Sequence, residues 1–241
     1  MLKNLTNISK DTDFLKGTTI LFHKPIGWTS FDLVKKVRNI IKSNKKIKKI
    51  KVGHAGTLDP LADGLLIICT GRFTKKIEEI QKQKKIYTGE ITLGGTTPSF
   101  DRETEINKTF ETSHITEKLL IESCKTFEGK IMQKPPIFSA LKREGKRLYQ
   151  HARQGTSIEI KAREVSIEKF EITNVNIPKV EFKVICSKGT YIRSLANDFG
   201  EKLKCGGYLS KLRRIQIGNF KLDEAYTINN FQEKILKQKI T

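Results

Sequence analysis

The sequence predicts an α+β fold, because strand-like and helix-like segments follow one another along its 241 residues. The strand-like segments are rich in apolar and β-branched residues or alternate in polarity, and they are residues 17–22, 65–69, 85–94, 164–173 and 180–186. The helix-like segments carry apolar side chains at helical spacing, and they are residues 31–42, 75–83, 112–126, 194–203 and 229–239. These segments indicate both kinds of element but fix no topology.

The composition indicates a soluble globular protein with a polyanionic partner. Lysine and arginine number 46 against 26 acidic residues, for a formal net charge of +20. So large an excess favours nucleic acid as the partner. No apolar run approaches the ~20 residues that span a bilayer, and residues 1–17 lack the apolar core of a signal peptide. We therefore expect a cytoplasmic protein with no membrane partner.

Cysteine and histidine spacing gives no indication of a metal site or a disulfide framework. The residues concerned are Cys69, Cys124, Cys186, Cys205, His23, His54, His114 and His151. No CxxC pair occurs, and Cys69 and Cys186 lie in apolar strand-like runs that suit core thiols. His54 and Asp59 could share a metal, but the sequence places no third ligand near them. We expect neither a metal nor an organic cofactor.

Residues 53–66, GHAGTLDPLADGLL, are the segment around which the chain is organised. Three glycines and a proline indicate a tightly bent backbone, and Pro60 biases Asp59 toward an extended or turn conformation. The apolar run 65–69 would anchor this loop to the core as a buried strand. A carboxylate on a rigid loop suits a catalytic role, but Asp-Pro is also a common structural turn. The residue physics alone leaves both interpretations open.

This segment resembles the signature of the TruB-type tRNA pseudouridine synthases, whose catalytic aspartate corresponds to Asp59. Four further segments resemble motifs of the same family. They are KPIGWTS at 24–30, the KxY point at 85–87, KGTYIR at 188–193 and the LRR segment at 212–214. In the family the first motif supports the active-site loop, so Lys24 and Pro25 are interpreted as structural. The resemblance covers about residues 21–225.

The resemblance implies substrate-binding roles for His54, Tyr87, Tyr191, Arg193 and Leu212. His54 would fill the place that the flipped base leaves, and Tyr87 and Leu212 would sandwich the base. Tyr191 would line the pocket. Tyr191 and Arg193 are two residues apart at what the pattern predicts to be a strand end, so they would share a face. Arg193 is the expected partner of Asp59, since arginine is permanently charged; the alternative is an ordinary surface arginine.

The resemblance also implies the topology and the domains. We expect a mixed, mainly antiparallel sheet with flanking helices, and a thumb-like insertion at about 127–155 that clasps RNA. Residues 1–225 would form the catalytic domain, and 226–241 a short helical tail without a full PUA domain. The turn at 94–101 matches the family only in part, because Pro98 and Phe100 stand where polar residues are usual. We assign no chemistry to it.

The implied activity is isomerisation of the T-loop uridine of tRNA to pseudouridine-55, with Asp59 as nucleophile on a flipped-out base. The expected partner is the T-arm stem-loop, bound by a monomer without an obligate protein partner. One alternative is a non-catalytic tRNA-binding or folding chaperone, and another is a guide-RNA-dependent relative. Asp59, Tyr87 and Arg193 all match the family's residues, which favours an enzyme over a non-catalytic binder. The basic stretch 134–155 favours an enzyme that acts without a guide RNA. Lysines in 43–51 would contact phosphate or form a solvated loop.

Overall fold

A computed structural model describes residues 8–9, 11–139, 141–143, 145–154 and 158–236. Its strands are β1 (Thr19–Lys24), β2 (Val52–His54), β3 (Ala62–Thr70), β4 (Lys85–Leu93), β5 (Gly95–Thr96), β6 (Lys108–Thr109), β7 (Gly129–Gln133), β8 (Lys142–Arg143), β9 (Lys146–Arg147), β10 (Arg163–Asn176), β11 (Lys179–Cys186), β12 (Gly207–Ile217) and β13 (Phe220–Lys221). Its α-helices are α1 (Ser30–Lys45), α2 (Ile77–Lys82), α3 (Glu117–Lys125), α4 (Leu148–Arg153), α5 (Ile192–Lys202) and α6 (Ile228–Leu236). The predicted α+β class and the mainly antiparallel pairing are confirmed.

The chain divides into two compact units. The first contains residues 1–86 and 213–241, and the second contains residues 87–212. Strands β4 and β12 each begin in one unit and end in the other. The predicted domain boundary at residue 225 stays a prediction.

The first unit is built on β3, in which every residue is buried. Strand β1 pairs with it antiparallel from Thr19 opposite Cys69 to Lys24 opposite Gly64, and β2 pairs with it as well. A continuous apolar run is typical of a strand covered on both faces. Strand β3 therefore provides a stiff base for the segment that precedes it, which contains Asp59.

Helix α1 buries the apolar face that its spacing predicts. The buried side chains of that face are Leu33, Val34, Val37, Ile40 and Ile41. The helix begins one residue before the predicted segment 31–42, at Ser30. Thr29 is the cap, because its side chain accepts a hydrogen bond from the backbone N–H of Asp32 while the Asp32 carboxylate accepts one from the Thr29 N–H.

The second unit carries the sheet order β12-β4-β11-β10-β7. The predicted strands at 164–173 and 180–186 are confirmed as β10 and β11, which pair antiparallel. Four aromatic rings form edge-to-face contacts 5.3–6.2 Å apart, and they belong to Phe127, Phe170, Phe182 and Phe199. The predicted helix at 112–126 begins later, at Glu117, because Thr116 caps it through its hydroxyl.

Two predicted segments extend into residues that the structure leaves undescribed. The thumb-like stretch contains β7, the antiparallel pair β8–β9 and α4. The side chains of five of its basic residues lie outside the described part, and these are Lys142, Arg143, Lys146, Arg147 and Arg153. The C-terminal helix is present through Leu236, and the predicted residues 237–239 lie outside the described chain.

The close approach at Gly64 gives a test of the packing around β3. Gly64 has φ +111°, and a Cβ there would lie 2.4 Å from the backbone oxygen of Arg214. We expect Gly64→Ala to lower the free energy of unfolding by more than about 1 kcal/mol, measured by urea titration. Gly129→Ala is the matched control, because Gly129 also has a positive φ of +94°, but a Cβ added there would meet no atom within 4 Å. Equal losses in the two variants would show that the close contact contributes nothing.

Candidate active site

The loop around Asp59 is held on both sides of the carboxylate. On one side, Ser30 Oγ donates to the Leu58 carbonyl at 3.0 Å and accepts from the Leu58 N–H at 2.8 Å. On the other, the Gly27 N–H donates to the Pro60 carbonyl at 2.8 Å, and the Ala62 N–H to the Asp59 carbonyl at 3.1 Å. These bonds fix the backbone that presents Asp59, as the sequence predicted for a rigid loop.

Arg214 is a buried cation that bonds to the carbonyl groups of the same loop. Its side chain is 1% exposed. Its guanidinium donates to the carbonyl oxygens of Leu65, Thr57 and Gly56 at 2.8, 3.2 and 3.1 Å. A buried charge is tolerated only when hydrogen bonds replace its hydration. Arg214 therefore ties the residues before Asp59 to strand β3.

Lys24 is a second buried cation of this unit. It is 0% exposed, and its Nζ donates to the carbonyls of Pro25 at 2.9 Å and Trp28 at 2.7 Å. Burial lowers the pKa of this amine from 10.5 to about 8, although the negative charges of Asp63 and Asp59 act in the opposite direction. Its geometry agrees with the structural role expected for Lys24, because it braces the turn that leads into α1.

Asp63 forms an ion-pair cluster four residues after Asp59. Arg213 donates from Nε and Nη2 to the carboxylate at 2.7–3.1 Å, and His23 Nε2 lies 3.2 Å from Asp63 Oδ2. Burial alone would raise the pKa of this carboxyl, but the hydrogen bonds from Arg213 and His23 outweigh it and lower the pKa. The cluster holds the first residues of β3 to β12.

His54 lies at the end of β2, paired across the sheet with Ile68. Its ring is partly buried, and this burial lowers the pKa of the imidazole below its usual value. The lowered pKa favours the neutral form of the ring. A neutral, flat ring suits the predicted role of filling space beside a flipped-out base, and that role stays a prediction.

Within the second unit, Arg193 is a buried side chain, 5% exposed. Its Nη1 lies 3.5 Å from Asp101 Oδ2 and donates to the Ser99 carbonyl at 3.3 Å. The alternative of an ordinary surface arginine is therefore wrong. Its pairing with Asp59, as the sequence predicts, stays a prediction.

Asp101 is a residue that sequence reasoning missed, since the turn before it was assigned no chemistry. The hydroxyls of Thr97 and Ser99 donate to the Asp101 carbonyl at 2.7 and 3.2 Å, and the Glu103 N–H donates to its carboxylate at 2.9 Å. The polar alternation of Thr97, Ser99 and Asp101 was the available signal, because small hydroxyl residues before an aspartate are typical of a hydrogen-bonded turn.

Tyr191 lies at a helix start instead of the predicted strand end. It occupies the N-cap position of α5, and Arg193 lies in the first turn of that helix. Residues two apart on a helix do not face each other, so the expected shared face is wrong. The side-chain amide of buried Gln133 holds the backbone of Tyr191, donating to its carbonyl at 3.1 Å and accepting from its N–H at 2.8 Å.

The remaining predicted site residues lie on strands of the second unit. Tyr87 is buried on β4, with 8% exposure, and Leu212 is half-buried on β12. Arg163 lies with its guanidinium carbon 4.9 Å from the centre of the Tyr191 ring. The stacking roles proposed for Tyr87 and Leu212 stay predictions.

The described residues contain neither a candidate metal cluster nor a membrane-spanning helix. No group of three or more His, Cys, Asp or Glu side chains in that part of the chain could hold a metal ion. Among the helices described above, none has both the length and the apolar character needed to cross a membrane.

Comparison with known proteins gives consistent matches over most of the chain. The model of the TruB family pseudouridylate synthase N-terminal domain matches residues 42–192, and that of the tRNA pseudouridylate synthase B C-terminal domain matches residues 193–240. A protein of Flavobacterium johnsoniae named tRNA pseudouridine synthase B is 53% identical over 224 residues, which are 92% of this chain and 98% of that protein. A protein of the same name in Phocaeicola vulgatus is 48% identical over 228 residues, which are 95% of this chain and 97% of that protein.

A solved structure has a similar fold. A chain in the crystal structure of a Cbf5-Nop10-Gar1 complex superposes with a TM-score of 0.72 at 28% identity. The match covers 94% of this chain and 56% of that one. The present chain is thus similar to little more than half of the protein found in that complex.

The lowered pKa of Lys24 predicts how stability changes with pH. Between pH 8 and 10.5 the unfolded chain binds more protons at this amine than the folded chain does, so the free energy of unfolding rises with pH there. Urea titrations should show wild type gaining stability across this window relative to Lys24→Met. Exposed Lys221→Met is the control for losing one amine. If the difference in free energy of unfolding between wild type and Lys24→Met did not change from pH 8 to pH 10.5, the lowered pKa of Lys24 would be contradicted.

Proposed function

Because the chain belongs to the TruB family of pseudouridylate synthases, we propose that it isomerises a T-loop uridine of tRNA to pseudouridine, with Asp59 as nucleophile. The observation that carries the proposal is the family match over residues 42–192, which contains the whole Asp59 loop. The names of relatives that align over nearly the full chain support tRNA as the substrate class.

The chemistry needs a nucleophile and no redox partner. The bond between C1′ and N1 of the uridine breaks, the base turns, and a new bond forms between C1′ and C5. The hydrogen at C5 leaves as a proton to water, and N1 takes a proton, so atoms and charge balance. Asp59 would form a transient covalent bond either to C1′ or to the base, and both routes release the C5 hydrogen.

The geometry of the first unit supports this role for Asp59. A nucleophile is effective only when it is held close to its line of attack, because a misplacement of about 1 Å costs roughly a hundredfold in rate. Hydrogen bonds from Ser30, Gly27 and Arg214 hold the backbone on either side of the carboxylate. The carboxylate itself is only half-buried, which leaves it accessible to a substrate.

We assign roles to the other site residues from their positions in the family motifs. Arg193 would orient the Asp59 carboxylate, and Asp101 would in turn hold Arg193 through the buried contact described above. Tyr87, Tyr191 and Leu212 would bind the base, and His54 would occupy the space it leaves. The role of Asp101 rests on its contact with Arg193. The roles of the other residues rest on the family resemblance.

We further propose that the protein acts on tRNA as a cytoplasmic monomer without an obligate protein partner. The high identity to proteins named for tRNA favours this over a guide-RNA-dependent complex, since the chain shares only 28% identity with the Cbf5-complex chain. No observation favours the non-catalytic chaperone. Activity of the purified chain alone would support the proposal.

An assay of tritium release tests the reaction and the nucleophile together. An unmodified T-arm transcript labelled with tritium at uridine C5 should release label with wild type, and Asp59→Ala should be slower by at least about a thousandfold. Asp223→Ala, which removes an exposed carboxylate of the same unit, is the matched control and should keep wild-type activity.

Two outcomes would contradict the proposal. If wild type bound the transcript but released no tritium, the non-catalytic binder would replace the enzyme. If Asp59→Ala released tritium at the wild-type rate, the isomerase would stand, but its nucleophile would be a different residue.

A further inference from the structure

The first unit contains two adjoining surface grooves that share Trp28 and Lys36. One has a volume of about 410 Å³ and is also lined by Gly27, Lys35 and Asn39. The other, of about 390 Å³, extends past Pro25 to Asn229 at the start of α6. None of these lining residues is among the predicted site residues, although Pro25, Gly27 and Trp28 belong to the KPIGWTS motif. We call the combined feature the Trp28 groove.

The side chains of the Trp28 groove suit a nucleotide. Trp28 is the single tryptophan of the chain and is only half-buried, so part of its indole is open for stacking. Lys35 and Lys36 are exposed on consecutive positions of α1, and exposed Asn39 adds an amide that can donate and accept. Single-stranded RNA is bound by this combination of an aromatic platform and cationic side chains.

The one acidic residue of the groove is already engaged. The Asp32 carboxylate accepts hydrogen bonds from the Thr29 N–H at 2.9 Å and the Thr29 hydroxyl at 2.6 Å, in the cap of α1. These bonds lower the pKa of Asp32, so it remains negative and opposes an anion. Two lysines against one aspartate still leave a net positive charge, on a chain whose formal charge is +20. The charge balance favours a polyanion.

The wall of the groove is hydrogen-bonded to the Asp59 loop. Gly27, which lines the groove, donates its N–H to the Pro60 carbonyl, and Ser30 bonds to Leu58 in both directions. The residues on either side of Trp28 therefore contact the residues on either side of Asp59. The groove wall and the Asp59 loop are therefore neighbours in the first unit.

From these observations we propose that the Trp28 groove binds a second, single-stranded nucleotide of the tRNA substrate. Its base stacks on the Trp28 indole, and its phosphates contact Lys35 and Lys36. The inference rests on the proposed function, because it takes tRNA as the substrate. The exposed Ile26 and Phe31 nearby would also suit a protein partner, but the charge of the groove favours RNA.

The test measures binding of an unmodified full-length tRNA transcript to the whole chain. Tryptophan emission should be quenched by the RNA, because Trp28 is the sole source of that signal. Lys35→Ala with Lys36→Ala should raise Kd about tenfold and reduce the slope of log Kd against log salt by about 2. Removing two exposed lysines of the second unit, Lys125→Ala with Lys202→Ala, is the control for lost charge and should change Kd less than twofold.

The stacking contact is tested by a pair of substitutions. Trp28→Ala should weaken binding about tenfold, whereas Trp28→Phe should keep most of the affinity, since phenylalanine still offers a ring face. The rate of tritium release at saturating tRNA should stay near wild type in all these variants, because the groove does not touch the reacting atoms.

The outcomes separate this inference from the proposed function. The groove assignment would be overturned if the double lysine variant kept the wild-type Kd and salt slope. It would also be overturned if Trp28→Ala and Trp28→Phe bound the RNA with equal affinity. In either case, continued tritium release would leave the proposed isomerase activity standing. No tritium release by wild type would instead overturn the proposed function.

Discussion

Two buried cations hold the loops of the first unit in shape by donating hydrogen bonds to loop carbonyls. Lys24 and Arg214 are almost fully buried, and between them they bond to five carbonyl oxygens of the first unit. Burying a charge is costly unless hydrogen bonds replace its hydration. The loops must therefore keep the shape that offers those carbonyls, and the loop that carries Asp59 is one of them.

In this arrangement, the groups that hold the loop in place are different from the group that reacts. The backbone on both sides of Asp59 is held by groups that do not react, so the carboxylate can remain half-exposed and available to a substrate. The same bonds connect the Asp59 loop to the turn at Gly27 and Trp28, which forms the wall of a positively charged groove.

Local sequence patterns predicted the local features. Apolar periodicity gave the buried face of α1, alternation gave β10 and β11, and the glycines with Pro60 gave a rigid loop around Asp59. Only the family resemblance of the KPIGWTS motif indicated a support for this loop. The residue patterns did not predict the partners that hold it, because those partners are distant in sequence: Arg214 reaches carbonyls about 150 residues away, and Ser30 bonds to Leu58, 28 residues further along the chain. The Asp101–Arg193 contact was missed for the same reason.

The most direct test of the central claim is the kinetics of Arg214→Lys. Lysine keeps the charge but cannot donate to three carbonyls in the fixed geometry of a guanidinium. With the tritium assay, the account predicts that kcat falls at least about tenfold while Kd for tRNA changes less than about twofold, because Arg214 positions the Asp59 loop without touching RNA. Circular dichroism would confirm that the variant folds. A folded variant with wild-type kcat would contradict the claim that this buried arginine sets the geometry of the nucleophile.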